Sequence, residues 1–125
     1  MATVRDRTHW SATRPQPGAK TLGHVVVQFK IAPPDEDGLI VGECVELGTS
    51  SFGETLEEAL NATVEATAAY LEALDDSGEL ERVLKERGVE FHPVAPADDE
   101  EQTVPPVYPG ETVSVQRLSA LAGAR

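Results

Sequence analysis

From His24 to Ala32 the chain reads HVVVQFKIA, with Val25, Val27, Phe29 and Ile31 on one parity and His24, Val26, Gln28 and Lys30 on the other. Successive side chains of a strand point to opposite faces, so this alternation predicts a strand with one apolar face. Pro33, Pro34, Asp35, Glu36, Asp37 and Gly38 then predict a polar loop, and a second strand follows from Leu39 to Glu46. There Leu39, Val41 and Val45 share a parity that Glu43 interrupts, while Ile40, Gly42, Cys44 and Glu46 form the other. Both faces of this strand are therefore expected to be partly covered. The two strands are predicted to pair as an antiparallel hairpin with a loop longer than the minimum.

Gly48, Thr49, Ser50, Ser51 and Gly53 read as a turn, and Thr55 followed by Glu58 reads as a capping box that opens a helix. From Leu56 to about Asp75, the residues Leu56, Ala59, Leu60, Thr63, Val64, Thr67, Leu71 and Leu74 fall on one stripe at helical spacing. Alanines at 59, 62, 66, 68, 69 and 73 allow close approach by the sheet or by a second subunit. A second helix is expected from about Ser77 to Arg87, with Asp76 and Glu79 as its capping box, Leu80, Val83 and Leu84 as its apolar stripe and Gly88 as its stop. Val89 and Phe91 can then fold back on the core. Prolines at 93, 96, 105, 106 and 109, with the acidic run Asp98 to Glu101, predict a loop across 92–110. Alternation of Val113 and Val115 with Thr112, Ser114 and Gln116 predicts a last strand from Thr112 to Leu118.

These elements predict an α+β fold. A β-hairpin, a short third strand and a late C-terminal strand form a small antiparallel sheet, with the long amphipathic helix packed on one face and a second short helix beside it. The domain is expected to span 23–118, after a flexible basic arm at 1–22 and before a tail at 119–125. Trp10, the single tryptophan, falls in that arm, where it is either incidental or a docking anchor.

The run Glu43-Cys44-Val45-Glu46-Leu47, the turn of small residues, and the sequence from Gly53 through Thr55, Leu56, Glu58, Ala59 and Leu60 into an Ala-rich helix resemble the HicB-like antitoxin family. The resemblance covers roughly Val25 to Phe91. Val45 and Gly48 stand where the family usually has proline, and no second cysteine follows Cys44. What it implies is a partial RNase H fold that neutralises a small RNA-cleaving toxin of the HicA type. Many members of the family carry a C-terminal ribbon-helix-helix or helix-turn-helix segment that binds DNA. Here the chain ends seven residues after Leu118, so DNA binding is not expected.

Charge sharpens the partner expectation. The net charge is −12, yet residues 1–34 carry Arg5, Arg7, Arg14, Lys20 and Lys30 against Asp6 alone. An acidic body is unsuited to phosphate and suited to a basic protein, such as a toxin that itself binds RNA. Asp35, Asp37, Glu43 and Glu46 are the expected contacts. Acidity for solubility alone is the plainer alternative. A small sheet with helices on one face also leaves an edge or a face uncovered, so a homodimer or tetramer is expected. A stand-alone oligomeric scaffold or regulatory module without a toxin is the competing function.

Catalysis is not expected. A nuclease of RNase H type needs clustered carboxylates around two magnesium ions about 4 Å apart. Glu43 and Glu46, three residues apart on a strand, point to opposite faces. Glu54, Glu57 and Glu58 are the acids a helix N-terminus favours. His9, His24 and His92 have no metal-ligand spacing, and no Gly-rich phosphate loop follows a strand, so no metal or cofactor is expected. The lone Cys44 excludes an internal disulfide and reads as a buried core residue. No apolar run approaches a membrane span, and the expected location is the cytoplasm.

Overall fold

The computed structural model describes residues 9–12, 20–93 and 110–122. Five strands, β1 (His9–Ser11), β2 (Lys20–Ile31), β3 (Ile40–Cys44), β4 (Ser50–Gly53) and β5 (Thr112–Ala122), form one antiparallel sheet in the order β1-β5-β2-β3-β4. Helices α1 (Leu56–Ser77) and α2 (Leu80–Glu86) lie between β4 and β5 in sequence. The α+β class, the hairpin, the long helix and the late strand are as the sequence predicts.

The apolar parity of β2 makes the core. Val25, Val27, Phe29 and Ile31 are buried beside Leu118 and Ala120 of β5, and Leu47, Ala59 and Leu71 close over them. On β3 the burial alternates strictly, with Ile40, Gly42 and Cys44 inward and Val41 and Glu43 outward. The expectation of cover on both faces fails for Val41, because α1 packs on one side of the sheet only and reaches β3 and β4 there. Gly42 is what lets the helix come so close. A Cβ at that position would lie 2.4 Å from the Thr63 hydroxyl.

Residues 50–53, expected to be turn, form β4 instead, with Ile40 opposite Gly53 and Val41 opposite Phe52. Pairing along the whole of β3 supplies the backbone partners that these small residues would otherwise find in a turn. The turn itself is displaced to residues 45–49, where Gly48 takes a φ of 77° and donates to the Cys44 carbonyl. The Thr55 hydroxyl accepts from the Glu58 N–H at 3.1 Å, so α1 starts where the capping pattern places it. It ends two residues later than expected. Gly78 is left-handed, and Gly78 and Glu79 donate to the Asp75 and Leu74 carbonyls, a Schellman closure. Asp76 is thereby inside α1, and the capping box expected for α2 does not form: Glu79 at its N-cap makes no side-chain capping bond. A second Schellman closure at Gly88 ends α2, with Val89 donating to Leu84, and both of those side chains are buried.

The basic arm expected at 1–22 supplies strand to the sheet instead. β1 pairs with β5 through Trp10 and Ala120, β2 already begins at Lys20, and Trp10 is only 2% exposed. Phe91 meets the indole edge-on with ring centroids 6.2 Å apart, α1 packs against β1, and Ala120 pairs with Trp10 across the sheet. Likewise β5 runs to Ala122, four residues past the predicted strand end, because β2 offers it a partner along its full length. Arg5, Arg7, Arg14 and the acidic run 98–101 lie outside the described residues.

Candidate partner-binding surface

The four carboxylates expected to contact a partner do not form one patch. Asp35 and Asp37 sit in the exposed β2–β3 loop, Glu43 projects from the outward face of β3, and Glu46 lies in the turn beyond the far end of that strand. At about 3.3 Å per residue, β3 alone separates the loop from Glu46 by roughly 15 Å.

Two of the four have structural work. The Asp35 carboxylate accepts the N–H groups of Asp37 and Leu39 at 2.8 and 2.9 Å, which folds the loop back on itself. Glu46 is half-buried, and its Oε1 accepts the Gln28 N–H at 2.9 Å while the Cys44 thiol points at the same oxygen from 3.9 Å. Val45 donates to the Gln28 carbonyl at 2.8 Å, so side chain and backbone together satisfy β2 where β3 leaves it. Asp37 and Glu43 remain as exposed carboxylates for a partner.

Larger acidic surface lies on the helices. Glu57, Glu58 and Glu65 are exposed along the solvent side of α1, Glu54 is exposed just before its cap, and no basic residue stands in its last turn. On α2, Arg82 is held between Glu79 and Glu86, with Nε 2.5 Å from Glu79 and Nη1 3.1 Å from Glu86. The hydrogen bond that Arg82 donates to the Glu79 carboxylate, more than any other contact, raises the guanidinium pKa above its already high ordinary value. Glu79 and Glu86 therefore face a cation within the chain.

The outward face of the sheet has a different character. Val41 and Phe52 form a cross-strand pair at 47% and 62% exposure, and Lys30, Glu43 and Glu111 border a shallow hollow beside Val41. Phe52 is hidden as a surface strand residue in the sequence because its neighbours read as turn. A lone aromatic among Ser50, Ser51 and Gly53 was the available signal. Two further grooves, of about 680 and 540 Å³, run along α1 beside Trp10 and along α2 beside Val89 and Phe91.

Glu43 and Glu46 face different surroundings, and among the described residues no three His, Cys, Asp or Glu side chains gather as a metal site. Burial pushes the Cys44 thiol up to about 11, away from the reactive thiolate. Among the described residues no helix is long and apolar enough to cross a membrane. No protein-family model, curated protein or solved structure matches the chain.

Proposed function

We propose that this is an antitoxin-like binding protein, which captures a small basic RNA-cleaving partner of the HicA type and covers its RNA-binding and catalytic face. The reading includes HicB-like membership and the partial RNase H fold that the resemblance implies. The observation that carries it is the charge of the body: residues 33–93 hold sixteen Asp and Glu against Arg82, Lys85 and Arg87. A face that binds RNA must present Lys and Arg to phosphates, and an exposed carboxylate surface competes for the same groups. Inhibition by occlusion needs no catalytic residue on the inhibitor. The test is RNA cleavage by a HicA-type toxin encoded beside this chain, followed as the chain is added. Cleavage stops at stoichiometric addition if the reading holds, and continues unchanged if it does not.

A second reading, a stand-alone oligomeric scaffold, draws on the exposed Val41–Phe52 pair, since self-association is one way to cover such a face. Phe52→Glu separates the two. It dissociates an oligomer built on that face and leaves the charge-driven capture of a basic partner intact.

A further inference from the structure

We infer that the β4 edge of the sheet takes an added strand from a basic partner, an extended segment in which Lys or Arg occupies alternate positions. The inference rests on the proposed capture of a basic protein and names where that protein is gripped. β4 is the last strand of the sheet and pairs with β3 alone. The Cys44 N–H donates to the Thr49 carbonyl at 2.8 Å, and bonded positions alternate along an antiparallel ladder, so Ser51 and Gly53 turn their backbone groups toward β3. Ser50 and Phe52 turn theirs away. Both residues are exposed, and among the described residues no turn or loop backbone bonds to them. Natural sheet edges are guarded by Lys, Pro, a bulge or a covering element. β4 reads Ser-Ser-Phe-Gly and keeps one register with β3 throughout, so it carries none of the first three.

Charge selects the occupant. A Cβ at Gly53 would lie 2.5 Å from the Ala59 nitrogen and 2.7 Å from the Glu58 Cβ, which sets the first turn of α1 on the helix side of β4. Glu54, Glu57 and Glu58 are exposed in or just before that turn. The positive end of the helix dipole amounts to about half a unit charge, so the three carboxylates outweigh it. Alternate side chains of an added strand point to this same side, where Lys or Arg reaches the carboxylates while the backbone bonds to Ser50 and Phe52. A second copy of this chain is the wrong occupant, because two β4 edges paired about a two-fold axis bring the same carboxylates of each copy together. Since the grip is through backbone groups, the Phe52 side chain stays free on the outward face.

The probe is a short, end-blocked peptide of alternating Lys and Val, added to the full chain and followed by amide hydrogen exchange in NMR. Two controls accompany it: an N-methylated version keeps the charge and loses the hydrogen bonds, and alternating Glu and Val reverses the charge. The Lys-Val peptide should slow exchange at Ser50 and Phe52, and neither control should. Ser50→Pro removes an outward N–H that β3 does not use, so it should weaken binding roughly tenfold with the sheet intact. Glu54→Lys should weaken it several-fold at low salt. If Ser50→Pro folds poorly, the N-methylated peptide and Glu54→Lys decide. Equal binding of the N-methylated peptide, or protection that bypasses Ser50 and Phe52, would overturn the edge. The peptide requires no toxin, so the two claims fail separately. A toxin neutralised equally by wild type and Ser50→Pro would overturn the edge and leave the antitoxin reading standing. Peptide binding at Ser50 and Phe52 with RNA cleavage undiminished would support the edge and overturn that reading.

Discussion

The Glu46 carboxylate accepts the Gln28 backbone N–H at 2.9 Å, so a residue that looks like surface charge in the sequence closes the edge of the central strand. Replacing it by alanine leaves a part-buried donor without its acceptor. Glu46→Ala should cost about 1–3 kcal/mol in urea denaturation, and Glu46→Gln, which keeps an acceptor oxygen, should cost less. Equal losses for the two variants would show that the bond contributes little.

Asp35 and Asp37 separate structure from recognition within one loop. Asp35 holds the loop through two N–H groups, whereas Asp37 offers its carboxylate to solvent. Asp37→Lys should therefore weaken partner capture several-fold at low salt, with the difference shrinking as salt rises and the stability unchanged. Identical affinity at every ionic strength would remove this loop from the interface.

Gly42 is a packing constraint rather than a turn residue. An added Cβ meets the Thr63 hydroxyl at 2.4 Å and the Ile31 Cδ1 at 2.9 Å, both within the sheet–helix interface. Gly42→Ala should destabilise by about 1–3 kcal/mol. Thr63→Ala in the same chain should recover part of that loss, a non-additivity that a double-mutant cycle measures.

Cys44 titrates with a consequence for alkaline stability. Its folded thiol is raised by burial from 9.0 to about 11, so the folded state prefers the neutral form. The sign follows: the unfolded chain ionises first, and the stability the neutral thiol contributes is intact below about 9 and is lost as pH rises toward 11. Thiol labelling at pH 8 should be slow in the folded protein and become fast in urea. Cys44→Ala should flatten the fall in stability above pH 9.

These sites also show which features of the fold the sequence carries. The β2 alternation and the Thr55–Glu58 capping pattern are local signals, and both elements appear where those signals put them. By contrast β4 and β1 exist through pairing: Ser50–Gly53 and His9–Ser11 are too short and too polar to announce strands, and each is ordered by a longer neighbour. The parity of β3 was ambiguous for a related reason. Valine at 41 outranks glycine at 42 on any hydrophobic scale, yet the buried side is decided by which residue lets α1 approach. Among the proposed contacts the sequence located acidity without assigning roles, because nothing local distinguishes Glu46 on a backbone amide from Glu43 in solvent.

Isolation of the tagged chain from a lysate of its native cells, with identification of whatever co-purifies, is the decisive measurement. The account predicts a small basic protein present in stoichiometric amount, released by salt, whose RNA-cleaving activity appears once the two are separated. Recovery of the chain alone, as a monomer or as an oligomer of itself, would contradict it.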